Sequence, residues 1–157
     1  MLSIALLLHV DLDVFRRLVE AIGVRGQDYV LDWLVSRRRP ERRPTMQLLF
    51  PKTYARLRDA IQAPHNLTSP LLRSFLANWY EWYESLEVWY EGHLGPGGGG
   101  FTGYWYWEAA AAAYALGLDD TELHAMRYYP KDLADHALTR TPKRRWPAPA
   151  KPWPRRA

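Results

Sequence analysis

The residues best suited to chemistry in this 157-residue chain are carboxylates, and they are unevenly placed. Residues 74–139 hold ten acids against only Arg127 and Lys131, a balance of −8, whereas residues 1–73 carry +5 and residues 140–157 carry +7. Within the acidic section, Glu81, Glu84, Glu87 and Glu91 follow one another with no lysine or arginine among them, beside Tyr80. On a helix, Glu84, Glu87 and Glu91 stand at i, i+3 and i+7, which gathers three negative charges and Tyr80 on one face. An ordinary solvated surface mixes both signs. The run therefore reads either as a solubilising face or as an array offered to a positively charged partner, with Asp119 and Asp120 further along as additional candidates.

Other candidate chemistry is weaker. Glu108 is the one charge in a stretch of aromatic residues and alanine. A buried carboxylate is costly unless paired, so Glu108 reads as a structural acid satisfied by Arg127, Lys131 or a tyrosine hydroxyl, or as a partner-facing or catalytic group. The pairs Asp120/His124 and Asp132/His136 have the i, i+4 spacing that could set two metal ligands on a helix face, and equally that of ordinary capping and surface pairing. Cysteine is absent, which excludes a thiol nucleophile and a cysteine zinc site. No serine elbow and no H-E-x-x-H occurs, and LGPGGGGFTG lacks the G-K-[ST] ending of a phosphate loop. The pattern argues against an enzyme, and it calls for no metal and no cofactor.

The elements that must hold these residues are helical throughout. Residues 103–116 run GYWYWEAAAAAYAL, apolar on every side, which predicts a buried central helix over about 104–116 closed by Gly117 with Leu118 behind it. Asp119 and Glu122 have capping-box spacing, so a short helix is expected there, ended by Pro130. Upstream, helices are expected over about 4–22 (closed by Gly23), 28–36, 51–63 and 69–92, the last opened by Ser69 and Pro70. Its inward sector is Phe75, Trp79, Trp82, Leu86, Trp89 and Tyr90. SRRRPERRP, with five arginines and two prolines, predicts an exposed loop. The fold class is all-α, a compact multi-helix bundle. One domain spans 1–139, with N-terminal helices over 1–66 and a core over 67–139, and a disordered, basic, proline-rich tail fills 140–157. No run approaches the ~20 apolar residues that span a bilayer, and no signal peptide is recognisable, so a soluble cytoplasmic protein is expected.

The runs GYWYWEAAAAAYALGLDD and YYPKDL, preceded by LLFPKTYARL (48–57), NWYEWY (78–83) and HLGPGGGGFTGYW (93–105), resemble the C-terminal domain of PoNi-type immunity proteins over about residues 45–138. Those are cytoplasmic antidotes to PoNe-type DNase toxins of bacterial polymorphic-toxin and type VI secretion systems. The resemblance implies an immunity protein that binds a cognate DNase toxin, and further helices ahead of residue 1, so that the chain reads as a shortened member. It makes Glu108, Tyr128, Tyr129 and Asp132 motif residues of structural weight, and Tyr80, Glu81, Glu84, Glu87, Glu91, Asp119 and Asp120 the toxin-binding candidates. Because a DNase presents a positive cleft to phosphates, carboxylates in their place would occlude it, and charge complementarity would speed capture. The alternative is a nucleic-acid-binding accessory protein acting through SRRRPERRP and the tail.

Overall fold

The computed structural model describes residues 1–82, 84, 90–94 and 103–139. Among these, seven α-helices and no strand occur: α1 Leu2–Leu7, α2 Leu12–Ile22, α3 Tyr29–Arg38, α4 Pro51–Gln62, α5 His65–Trp82, α6 Trp107–Leu116 and α7 Lys131–Thr139, with 3-10 turns at Gly92–Leu94 and Thr121–Leu123. The all-α fold class holds. No helix among the described residues is long and apolar enough to cross a membrane.

The bundle is built around α6. Ala109, Ala110, Ala111 and Ala112 are fully buried, and their small side chains let α1, α3, α5 and α7 all pack against this one helix. α6 ends as its sequence predicts. Gly117 takes φ +64, its N–H donates to the Tyr114 carbonyl at 3.1 Å, and the Leu118 N–H reaches back to Ala113 O at 3.0 Å. That is a Schellman closure, with glycine where a Cβ would be strained.

The start of α6 differs from expectation. Residues 103–106 are not helical, and the helix opens only at Trp107. Tyr106 is held outside it because its N–H donates to Tyr128 O at 2.9 Å and its ring lies against Phe75 at 4.8 Å and Trp79 at 5.0 Å. These tertiary contacts outweigh the helical propensity of the run.

Five other expectations are corrected. The helix expected over 4–22 is two helices, because His9 adopts φ +53. The His9 and Val10 amides close α1 onto Leu6 O (3.2 Å) and Ala5 O (3.2 Å), the same closure as at Gly117 but on a histidine. The histidine accepts this conformation because its Nε2 is bonded to Ala137 O at 3.0 Å and lies 3.2 Å from the Tyr114 hydroxyl. α5 begins at His65 rather than Ser69, so Pro70 sits inside it; Pro64 O takes the Leu67 N–H at 2.8 Å and the Thr68 hydroxyl at 3.2 Å, which starts the helix early. Asp119 and Glu122 open only a 3-10 turn, since Asp119 is taken by Thr121 and Glu122 turns to Arg73 at 3.5 Å. Pro130 opens α7 instead of ending a helix: its carbonyl accepts from Leu133 and Ala134, both at 3.1 Å. Finally, SRRRPERRP is an exposed loop only in part: Ser36 to Arg38 belong to α3 with Arg37 buried, whereas Pro40, Glu41 and Arg43 are exposed in a connection stapled back to α3. α3 carries two buried acids one turn apart. Asp28 caps Leu31 N (3.0 Å) and accepts from Leu49 N (3.0 Å), while Asp32 accepts from Gly26 N and Thr45 N, each at 3.2 Å, and pairs with Arg42 Nε at 2.7 Å.

α3 and α4 otherwise match their expected spans within two residues, with Val30, Trp33 and Leu34 of α3 and Leu57 and Ile61 of α4 buried. Phe75 and Trp79 of α5 are buried as expected, and removing an indole the size of Trp79 from water is worth about 2–3 kcal/mol. The expected continuation of α5 over 83 and 85–89, with Leu86 and Trp89, and the expected tail over 140–157 lie outside the described residues.

Candidate functional site

α5 positions the acidic edge. Trp79 faces the core, and one residue on, about 100° around the helix, Tyr80 emerges half-buried at its border. Its ring is surrounded by tyrosines: Tyr104 at 4.6 Å, Tyr90 at 4.8 Å and Tyr128 stacked at 5.3 Å. Tyr104 arrives from the non-helical segment ahead of α6 and is also bonded to His93 Nδ1 at 2.7 Å. Burial, followed by the bond to Tyr104, pushes the Tyr80 phenol up to about 12, so near neutrality Tyr80 is an uncharged hydroxyl. It accepts the Glu91 N–H at 3.2 Å.

That bond relocates Glu91. Eleven residues of straight helix rise about 16 Å, more than a tyrosine side chain can span, so Glu91 does not continue α5. Glu91 instead takes φ +54 in the turn that precedes Gly92–Leu94. Glu81, Glu84 and Glu91 are all exposed. Their charges converge on one phenol: Tyr90 is held above its ordinary range first by partial desolvation, then by the carboxylates of Glu84, Glu91 and Glu81. Among the described residues none of the three glutamates enters an ion pair. The structure thus brings Tyr80, Glu81, Glu84 and Glu91 together, by a chain reversal rather than by helical spacing. Glu87 lies outside the described residues.

The other candidates are placed elsewhere. Asp119 is exposed but occupied, accepting Thr121 N at 3.1 Å and Thr121 Oγ1 at 2.6 Å, and these bonds hold its carboxyl below the usual range. Asp120 is buried. It accepts the Tyr129 hydroxyl and lies 3.3 Å from His124 Nε2, which is also 3.8 Å from Asp135. Burial first, then Asp120, pushes the Tyr129 phenol far upward. The carboxylate of Asp120 therefore serves the interior, joining the Thr121–Leu123 turn to the approach to α7. Tyr128 completes the tyrosine group while its carbonyl fixes Tyr106, and Asp132 is exposed in the first turn of α7. Asp120 and His124 do come together, as their spacing suggests, but through a turn and with Tyr129 as a third member.

Glu108, half-buried in the first turn of α6, is not neutralised by Arg127 or Lys131. Arg127 lies over the Tyr128 ring at 5.3 Å, and Lys131 is exposed. Burial raises the Glu108 carboxyl, and its own backbone amide, the amino-terminal charge and the Ser3 hydroxyl pull it partly back. Its counterpart is α1, an element whose contact with α6 no local sequence pattern announces.

The arginine-rich connection is largely spent on the fold. Arg37 is buried over Trp33 at 4.9 Å and bonds Ser36; Arg38 lies over Phe15 at 5.1 Å and donates to Val10 O; Arg39 binds Glu41 at 2.7 Å; Arg42 binds Asp32. A phosphate backbone would have to compete for four of the five guanidinium groups. Sequence reading missed this because most of the partners are fixed by the fold: Arg38 reaches Phe15 and Val10 of the α1–α2 region, and Arg42 returns to Asp32 of α3. It also missed Tyr90, Tyr104 and His93 as a group, for which the one available signal was the density of tyrosine around NWYEWY and GYWYW.

A family model described as PoNe immunity proteins (PoNi), C-terminal, matches residues 26–133. The match begins at the α2–α3 connection, upstream of the resembling motifs, and takes in α3 and its stapled arginine connection as well as the acidic edge. No curated protein and no solved structure matches the chain.

Proposed function

The chain belongs to the family of PoNe immunity proteins, and from that premise we propose that it neutralises a cognate DNase toxin of a polymorphic-toxin or type VI secretion system in the cytoplasm. The antidote acts by binding rather than catalysis. Its acidic edge enters the toxin's DNA-binding cleft and offers carboxylates where phosphates would lie. The observation that carries this reading is the convergence of Glu81, Glu84 and Glu91 on Tyr90, exposed and without ion pairs among the described residues, in a section of the chain with ten acids and two bases. Cations in a facing cleft would find these charges uncommitted. Such complementarity acts chiefly on encounter, raising association rates by about 10- to 1000-fold over a neutral surface.

The test is the triple variant Glu81→Lys, Glu84→Lys and Glu91→Lys, with the toxin's nuclease domain as partner. The expected result is a 10-fold or greater fall in association rate at low salt, a weaker salt dependence, and an unchanged melting temperature. An association rate within twofold of the parent protein would overturn the acidic-edge reading, while leaving inhibition through another face open to the same assay.

A further inference from the structure

The two connections that flank α3 are drawn to the same buried carboxylate, and together they close on a small recess. Asp32 accepts the Gly26 N–H at 3.2 Å from one connection and pairs with Arg42 Nε at 2.7 Å from the other. The first is a tight turn: Gln27 N donates to Val24 O at 3.3 Å, and Gly26 takes φ +73, the backbone that favours glycine at the third position of such a turn. This turn presents Arg25. The second connection begins with a turn closed by Arg42 N onto Arg39 O at 2.9 Å, and it carries Arg39, Glu41 and Arg42. These four side chains and Val35 of α3 line a recess of about 110 Å³. Sites for drug-sized ligands run to about 300–1,000 Å³, so this one has room for a single oxyanion and not for a nucleotide.

The charges at the recess do not balance. Three guanidinium groups meet two carboxylates, Glu41 and the Asp32 that holds Arg42. Arg25 is exposed and enters no ion pair among the described residues. Arg39 and Arg42 each meet their carboxylate through Nε, which leaves the terminal N–H groups of both forks to donate. Asp32 is fully buried and fixed by backbone N–H groups. Glu41 is not: its side chain is 63% exposed, and its ion pair is with Arg39 at 2.7 Å. Its own backbone N–H first, then Arg39 and Arg25, hold its carboxyl below the usual range, as expected of an anion standing before clustered cations. With Glu41 turned out to solvent, three guanidinium groups against Asp32 alone leave two positive charges. We propose that the recess is an oxyanion site, taking one phosphate-type dianion on Arg25, Arg39 and Arg42 in exchange for Glu41. The planar arginine fork suits such a group, offering paired N–H donors to its oxygens. Inorganic phosphate and a phosphate monoester share this chemistry. Either one, when bound, fastens the turn before α3 to the turn after it, and the site is independent of the acidic edge.

The test titrates inorganic phosphate, glycerol phosphate and acetate into the full chain at constant ionic strength, following the arginine Nε–H signals by NMR. Phosphate is expected to shift Arg25, Arg39 and Arg42 saturably by about 20 mM, a millimolar site, with acetate about 10-fold weaker because it brings one charge instead of two. Arg25→Ala should weaken phosphate binding by about 10-fold or more, whereas Arg17→Ala, an exposed arginine outside the recess, should leave it unchanged. Glu41→Gln should tighten it by about threefold, a gain that no loss of folding can mimic. Equal binding of glycerol phosphate identifies a monoester as an admissible source, and binding of inorganic phosphate alone identifies the free ion; both support the site. It is overturned if no saturable shift appears, if Arg25→Ala binds phosphate within twofold of the parent protein, if Glu41→Gln binds no tighter, or if acetate binds as well as phosphate.

Discussion

The two halves of the molecule use carboxylates in opposite ways. In the N-terminal half, Asp28 and Asp32 are buried, each accepts backbone N–H groups from distant loops, and Asp32 is matched by Arg42. At the edge formed by α5 and the turn after it, Glu81, Glu84 and Glu91 are exposed and no cation among the described residues answers them. The contrast teaches that net charge per section says little about function until each charge is assigned to an interior or an outward task. The basic half looks like a nucleic-acid surface by composition, yet four of the five arginines in its arginine-rich stretch are committed to the fold, while the acidic half leaves Glu81, Glu84 and Glu91 exposed even as Asp120 serves the interior.

Each comparison between the halves can be broken by experiment. The largest effect should come from Asp32→Ala, which strands Arg42 and the loop amides of Gly26 and Thr45; losing one member of a buried pair costs about 3–5 kcal/mol. Chemical denaturation should show that loss with toxin association intact in the folded fraction. If association falls too, the halves are not independent. Next, Tyr129→Phe removes the donor to Asp120 and should destabilise by about 1–3 kcal/mol, again without touching association; a binding defect would return Asp120 to the interface. Gly117→Ala meets no atom within 4 Å but must hold φ +64, so thermal melts should register about 1–2 kcal/mol of conformational strain. The smallest effect concerns the edge itself. Because the folded-state value of Tyr80 is raised to about 12 from an ordinary 10, its contribution is complete below pH 10 and fades between about pH 10 and 12. Melting temperature across that range should fall less steeply in Tyr80→Phe than in the parent protein. An identical slope would show that the tyrosine group does not respond as a unit.

Much of the fold was legible because it rests on local rules. Pro51 opens α4, Asp28 caps α3, Gly23 and Gly117 end α2 and α6, and the alanine run is buried on every side. What escaped the sequence is where distant groups override local preference. Nothing near His9 signals a break; its left-handed backbone is held by Ala137 and Tyr114, more than a hundred residues away. Tyr106 leaves the helical run for the Tyr128 carbonyl. The candidate site divides in the same way. That the glutamates would be outward was readable from their neighbours, but Glu91 reaches Tyr80 by a reversal of the chain, and Asp120 was claimed by Tyr129, which no spacing rule foretells.

The bond between His9 and the carbonyl of Ala137 has a consequence for the order of events during synthesis. It joins positions 128 residues apart, and α1 packs on α6 and α7, both made last. α1 thus cannot complete its packing until α6 and α7 have also left the ribosome, so the contacts that seat it form only after the helices between them have been made.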